Sequence, residues 1–375
     1  MKSVLITPEG IQKNLKNIKP LDAICEYIWN GFDAFATQVE VELHRNKMGL
    51  INMITIRDNG CGINYDELKY KFQPFNDSKK ANVSQKTNHT LPHGRKGIGR
   101  LTFFAFSQTA RWDTVYRKDG DTYEYYISMN KDSLNQYDDN GEKLPCKVEK
   151  LTGTKVSFTQ LESMEKEDII NKIKEEFFWF LELNKENDYK IIVDKECIDY
   201  SDFVEHTENM DVSKYGCKET YDVRFVQWKQ KLGNEYSRIY YLGSDNKERY
   251  KETTKLNKRA DHFFHSVYIK SSYFDDFHFT NEEIEGQGDL FPNKCDDEYK
   301  ILINGINTFL IKYRSRYLKE ASDAYISKLI DDKLYPEFDT TNFIQAYQKK
   351  ELDSLVGALY AAQPKIFTGL SNDNK

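Results

Sequence analysis

The chain has 375 residues, 30% of them charged, and a formal net charge of −6. That length suits two or three domains, and the acidic balance excludes an overall basic nucleic-acid binder while leaving room for a local basic groove. The 25 Tyr and 23 Phe exclude a disordered chain, no apolar run is long enough to span a bilayer, and the six cysteines (25, 61, 146, 197, 217, 295) form no CxxC pair, which reads as a reduced, cytoplasmic protein without a zinc ribbon.

Residues 1–20 read as a first helix or strap, and MKSVLITPEG has no apolar leader segment. LDAICEYIWNGFDAF, residues 21–35, follows as a helix. Glu26, Asn30 and Asp33 fall at i, i+4 and i+7 and share one face. Leu21, Ile24, Ile28 and Phe35 share another, and Tyr27, Trp29 and Phe32 make most of the remainder apolar. A helix apolar nearly all round is buried, so its polar stripe needs a metal ion or a ligand as partner.

VEVELH (Val39 to His44) alternates as a half-buried strand does, and Leu50 to Ile56 is its partner across an RNKMG hairpin turn. Asp58 stands where that second strand stops, in DNG. Locally it shapes a turn. Followed by Gly60 and Gly62, it also suits a place where backbone approaches a flat ligand. One carboxylate oxygen can then accept from an exocyclic amine such as that of adenine.

Residues 71–93 are polar and read as a loop. HGRKGIGR then places Gly94, Gly97 and Gly99 before LTFFAF, which is expected to continue as a helix. Backbone N–H groups freed by glycine at a helix start form an anion site. The turn is neither a P-loop, lacking GxxxxGK[ST], nor a dinucleotide fingerprint, lacking a βαβ unit.

TARWDTVYRK and DTYEYYISM read as a hairpin over a short Asp-Gly turn, and Pro145 to Phe158 as another strand pair. Glu162 to Leu183 reads as a helix and KIIVDKECIDY as a last strand, closing a first domain at residue 203. Beyond it YDVRFVQWKQ, SRIYYLG and HSVYIKSSYF are strands, and CDDEYKILINGINTFLIKYRSRYLKEAS is a long helix. Residues 323–375 read as a helical C-terminal segment whose apolar stripe suggests a docking surface or a chain cut from something longer. His262, His265, Asp275, Asp276 and His278 lie close in sequence, but HxxH on a strand sends its imidazoles to opposite faces, which disfavours a metal site.

Three of these motifs resemble, in order and spacing, the ATP-binding boxes of the GHKL superfamily, which includes DNA gyrase B, the ninety-kilodalton heat-shock chaperone, histidine kinases, MutL and MORC. They are ExxxNxxDA at Glu26 to Ala34, DNGCGI at Asp58 to Ile63 and GRKGIGR at Gly94 to Arg100. LTGTKVSF, Leu151 to Phe158, resembles the family's late Gly-Thr strand.

The resemblance implies an α+β fold: a two-layer, Bergerat-type sandwich of a mixed sheet and helices over 1–203 with a lid at about 71–99, then a transducer-like α/β domain over 204–322 and C-terminal helices. It implies ATP and Mg2+ as ligands. Glu26 matches the general base and Asn30 the magnesium ligand. Asp58 matches the acceptor for the adenine amine, and Thr154 the residue that holds that aspartate and a water. Gly60, Gly62 and Ile63 line the nucleotide, and Asp33 lies on its adenine and ribose side. Gly94, Arg95, Lys96, Gly97, Ile98 and Gly99 match the turn around the phosphates. Ser78, Lys79 and Lys80 match the lid's phosphate-contacting stretch, although plain solvation explains these lysines equally well. In the second domain a basic residue of the family reaches the γ-phosphate. The motif match is too poor to carry that residue over, and Lys255, Lys258 and Arg259 are only candidates.

The function implied is an ATP hydrolase acting as an ATP-gated clamp that forms a homodimer. A DNA or protein client stays open, and there is no membrane partner. One alternative is a nucleotide-sensing scaffold with little turnover. Another is a histidine-kinase-like phosphotransferase, but the residues before the catalytic helix contain no phosphoacceptor His. A MutL-like endonuclease finds no metal-nuclease motif.

Overall fold

The computed structural model describes residues 7–73, 99–140, 145–231, 237–256, 261–279, 292–363 and 367. The chain divides into two compact units, Met1–Asp202 and Phe203–Lys375.

In the first unit, helix α1 (Pro8–Leu15) starts at Thr7, whose hydroxyl accepts from the Gly10 amide at 3.2 Å. Helix α2 (Pro20–Asp33) has proline in its first turn, where no intrahelical donor is missed. It ends before Phe35, which takes a left-handed φ of 64° and is 73% exposed. Phe35 therefore leaves the apolar face assigned to it from its spacing.

Strands β1 (Gln38–Arg45) and β2 (Ile51–Asp58) form the expected hairpin, with the Asn46 side chain accepting from the Met48 and Leu50 amides across the turn. Helix α3 (Tyr65–Phe72) is capped by Asn64. Gly99–Ala105, expected to open an α-helix, is a seven-residue 3-10 helix. Strands β3 (Ser107–Lys118) and β4 (Asp121–Asn130) pair over Asp119 and Gly120, both at positive φ as a tight hairpin requires.

Strands β5 (Asp138–Asp139), β6 (Cys146–Val148) and β7 (Gly153–Leu161) follow. β6 joins β4 while β7 joins β2 and β3, so the strands read in 145–158 do not pair with each other. Helix α4 (Lys166–Leu183) then leads to β8 (Lys190–Val193) and β9 (Glu196–Cys197). The strand order is β5-β4-β3-β7-β2-β1-β8-β9, with β8 parallel to β1. The chain thus has the mixed α+β architecture expected of it. α2 and α4 meet through aromatic rings, with Trp29 4.5 Å from Phe177 and Phe32 4.8 Å from Phe180 between centroids. On its other side α2 lies against β2, the strand that ends in Asp58.

The second unit has a sheet of order β10-β11-β14-β12-β13, formed by β10 (Val204–Met210), β11 (Asp222–Trp228), β12 (Arg238–Leu242), β13 (Glu248–Thr253) and β14 (Phe264–Lys270). HSVYIKSSYF is strand only to Lys270, and Ser272–Phe274 turns into a 3-10 helix. Helix α5 (Asp297–Asp331) lays Leu302, Ile306 and Leu310 on Val223, Phe225, Ile239 and Val267. It runs unbroken through residue 322, where the sequence reading placed a boundary. Helix α6 (Phe343–Ala362) packs Leu352 and Val356 against Ile326 and Leu329 of α5. Among the described residues, no helix is long and apolar enough to cross a membrane.

Candidate functional site

Helix α2 buries Ala23, Ile24, Cys25, Tyr27, Ile28, Trp29, Gly31 and Phe32 and leaves Glu26, Asn30 and Asp33 partly buried. Glu26, Asn30 and Asp33 thus form a half-buried polar stripe along a helix whose middle is otherwise buried. Burial pushes the Cys25 thiol up, so this neighbour of Glu26 is a neutral core group.

Near the end of that helix Gly31 faces the end of β2. A Cβ on Gly31 would stand 3.0 Å from Asp58 Cβ and 2.9 Å from Val39 Cγ2, so only glycine admits the strand so close. Asp58 Oδ1 accepts from the Gly60 amide at 2.8 Å and from the Thr154 amide at 3.3 Å. Both donors use the same oxygen, which leaves Oδ2 without a hydrogen bond among the described residues. Burial pushes the Asp58 carboxyl from 3.8 up to about 6, against the lowering pull of those two amides.

The turn after Asp58 is clamped from both sides. The Cys61 amide donates to Ala34 O at 2.9 Å. The Ile63 amide donates to Thr114 Oγ1 at 2.9 Å. Gly62 has φ +72°, and a Cβ there would lie 2.0 Å from Val115 O. Thr114 was missed in the sequence. It is one threonine in an alternating strand, and only the register that pairs it with Thr154 marks it out.

Gly99 arrives at the other end of the stripe. A Cβ on it would lie 3.1 Å from Glu26 Oε2 and 3.7 and 3.8 Å from the Asn30 amide atoms. Tyr27 fixes this approach: its hydroxyl donates to Arg100 O at 2.8 Å and accepts from the Phe103 amide at 3.3 Å. The Arg100 guanidinium donates to Phe72 O at 2.9 Å, and burial lowers its pKa to about 10. The 3-10 helix is therefore bound to α2 on one side and to the end of α3 on the other. Neither Tyr27 nor Arg100 was singled out as a site residue; one read as core, the other as part of a glycine turn.

The structure thus brings Glu26, Asn30 and Gly99 together at one place, and Asp58, Gly60, Gly62, Ile63 and Thr154 at another, with α2 spanning both. Asp33 is the last residue of α2 and is half-buried. Ser78, Lys79, Lys80, Gly94, Arg95, Lys96, Gly97 and Ile98 lie outside the described residues, as do Lys258 and Arg259. In the second unit His265 is a core residue whose ring nitrogens meet Phe263 O and Thr254 Oγ1, each at 3.0 Å, and burial lowers its pKa to about 4. Asp275 is held by Arg249 and the Ser244 amide.

Residues 18–166 match the family described as histidine kinase-, DNA gyrase B-, and HSP90-like ATPase. The chain is 39% identical over 79 residues to "Putative MutL protein homolog 1" of Schizosaccharomyces pombe, a stretch covering 21% of this chain and 11% of that protein. It is 28% identical over 120 residues to "Putative type II restriction enzyme HgiDII" of Herpetosiphon aurantiacus, covering 32% of this chain and 17% of that one. The chain therefore spans only a small part of the curated relatives it matches. The ATPase region of Saccharomyces cerevisiae topoisomerase II overlays with a TM-score of 0.37 at 14% identity, over 67% of this chain and 72% of that one. That overlay is too loose to add weight, whereas the family match covers the same residues that build the site. Over residues 18–166 this chain is therefore similar to the ATP-binding domains of the GHKL superfamily, the histidine kinase-, DNA gyrase B- and HSP90-like ATPases.

Proposed function

We propose that this chain hydrolyses Mg·ATP and uses the cycle to gate its own conformation and its pairing with a second copy. The carrying observation is the convergence of separate sequence motifs on one helix, with Gly99 against Glu26 and Asn30, and Asp58 against Gly31. A carboxylate, an amide and glycine backbone at one end suit a phosphate group and its counter-ion. A partly buried acceptor ringed by glycines at the other suits a flat base.

In this reading Asp58 Oδ2 accepts the adenine amine. Gly60, Gly62 and Ile63 bring backbone against the ring, Thr154 supports the aspartate, and Asp33 lies towards the ribose. Gly94–Gly99 and Ser78–Lys79 are the phosphate-contacting residues of this reading, and of these only Gly99 lies within the described residues. Asn30 would hold Mg2+, with Gly99 close beside it and beside Glu26, where a Cβ would meet Glu26 Oε2 at 3.1 Å. When bound, Mg2+ neutralises developing charge on the phosphate oxygens. Glu26 orients a water on the γ-phosphorus and takes its proton as the new P–O bond forms. The bond to the β,γ-bridging oxygen breaks, giving ADP and phosphate.

The test is phosphate release and nucleotide binding in two variants. Glu26→Ala should bind ATP normally and lose turnover by a factor of at least about 100. Asp58→Asn should lose binding. Wild-type turnover in Glu26→Ala would remove the base assignment. Binding without turnover in the unaltered chain would leave a nucleotide sensor.

A further inference from the structure

Within the second unit a cavity of about 630 Å³ lies where the ends of β10 and β11 and the turn before β14 meet α5. A space of that size takes one small organic molecule. His206 stands opposite Gln227 in the β10–β11 ladder, and Gln227 opposite His265 in the β11–β14 ladder, so the three side chains lie in one row on one face. That is the face α5 covers. Phe225, two residues before Gln227 and therefore on the same side of β11, packs on Phe309 and Tyr313 of α5 at 5.3 and 4.7 Å between centroids.

Gln227 differs from its buried neighbours. The His265 ring meets a partner at each nitrogen, and on the other face the Trp228 indole donates to Ser266 Oγ at 3.0 Å. Gln227 lines the cavity and is only 5% exposed, yet its side-chain amide makes no hydrogen bond among the described residues. Burying an amide without a partner is unfavourable, and buried polar groups in folded proteins ordinarily have one. The cavity is where a partner for Gln227 has room.

The rest of the lining narrows what that partner is. Tyr313 and Tyr317 fall one turn apart on α5, and His206 stacks on Tyr313 at 5.7 Å and 27°. The charges cancel: Arg316 pairs with Glu320, and Glu205 and Lys229, one of each sign, stand at the exposed rim. Such a lining gives no net attraction to a phosphate or to an ammonium group, so it suits an uncharged ligand. A primary amide presents a donor beside an acceptor in one plane. The complement is a flat ring with an acceptor beside a donor on its edge, and a nucleobase has both the edge and the ring faces that aromatic side chains accept. We propose that this cavity binds the base of an uncharged nucleoside, with the Gln227 amide making a paired hydrogen bond to the base edge while His206, Tyr313 and Tyr317 bound the ring. The proposal does not depend on the nucleotide site of the first unit.

His206 and His262 both line the cavity, so their ring resonances report on it. The experiment is a magnetic-resonance titration of the full chain with adenosine, guanosine, cytidine and uridine in turn. At least one should shift both rings saturably at concentrations up to about 1 mM. Gln227→Leu, which keeps the bulk and removes the amide, should weaken that nucleoside about tenfold or more. If Gln227→Leu does not fold by circular dichroism, Gln227→Met is read in the same way. The 5′-monophosphate of the same nucleoside should bind no tighter than the nucleoside itself. The shifts should persist in Asp58→Asn, which removes the base acceptor proposed for the first unit. Rings unmoved by all four nucleosides, or an affinity unchanged in a folded amide-free variant, overturn the site and leave Gln227 to water. A monophosphate that binds tenfold tighter overturns the uncharged ligand, and shifts lost in Asp58→Asn assign the signal to the first unit and overturn the proposal.

Discussion

Asp58 and Thr154 are direct partners in the β2–β7 ladder, and the Thr154 amide donates to Asp58 Oδ1 at 3.3 Å. Together with Gly60 it occupies one oxygen, and among the described residues nothing donates to the other. Burial meanwhile raises the carboxyl from 3.8 to about 6. The folded, nucleotide-free protein thus binds this proton more tightly than the unfolded chain does. Its contribution from Asp58 is fully present below pH 4 and is lost as pH rises through about 6.

A base that donates its amine to Asp58 favours the ionised form and shifts the balance the other way. Adenosine, which carries no phosphate to titrate, should bind more weakly as pH falls below about 6, approaching tenfold per pH unit. Chemical-shift titration between pH 5 and 7 measures this directly. An affinity flat across that window would show that Asp58 does not accept from the base.

The glycines make a separate prediction, because their neighbours differ. At Gly60 a Cβ would stand 2.5 Å from Ala34 O, backbone that is also bonded to the Cys61 amide. Gly60→Ala must therefore push the turn away from the end of α2, and ATP affinity should fall about tenfold or more with helix content unchanged. At Gly49 nothing lies within 4 Å, although φ is +82°. Gly49→Ala should cost about 1 kcal/mol of stability from backbone strain and leave affinity untouched. Equal loss of affinity in both variants would mean that the turn geometry is not what the nucleotide reads.

The contrast between those glycines explains how much of the molecule was visible in its sequence. The α2 stripe was legible because helical spacing alone separates Glu26, Asn30 and Asp33 from the apolar residues around them. The β1–β2 hairpin was legible because its turn is local. Phe35 misled because spacing carries no information about where a helix stops; the chain turns left-handed there and exposes the ring. Thr114 could not be found, because its importance comes from pairing with a strand 40 residues away. The Gly99 segment became a 3-10 helix because Tyr27 binds Arg100 O and the Phe103 amide from outside it, a tertiary contact across about 75 residues that no local pattern encodes.

The second unit contains a buried ion pair between Arg314 on α5 and Asp261, just before β14. Their side chains are 11% and 2% exposed, so water cannot replace either partner. Arg314→Met should cost roughly 3–5 kcal/mol by leaving the Asp261 carboxylate buried without its counter-charge, with only the Phe263 amide donating to it at 3.3 Å. Arg316→Met, whose partner Glu320 is 67% exposed, should cost less than about 1 kcal/mol. Urea denaturation followed by hydrogen exchange in α5 and β14 separates the two. Similar costs would mean that Asp261 is effectively solvated.

The last prediction concerns what ATP does to the whole chain. If Glu26 only completes hydrolysis, while Asn30, Asp58 and the glycine turn bind the nucleotide, then Glu26→Ala should hold the ATP-bound state indefinitely. A gate that closes on ATP would then accumulate in its closed form. The solution mass of Glu26→Ala, measured by light scattering, should move from monomer to dimer on adding Mg·ATP and return on replacing it with Mg·ADP. ATP carries one more phosphate than ADP for the Gly99 end of the site to grip, and in this reading that difference alone drives the shift. A mass that stays monomeric with ATP demonstrably bound would remove the clamp and leave an ATP-binding domain whose response is confined to one chain.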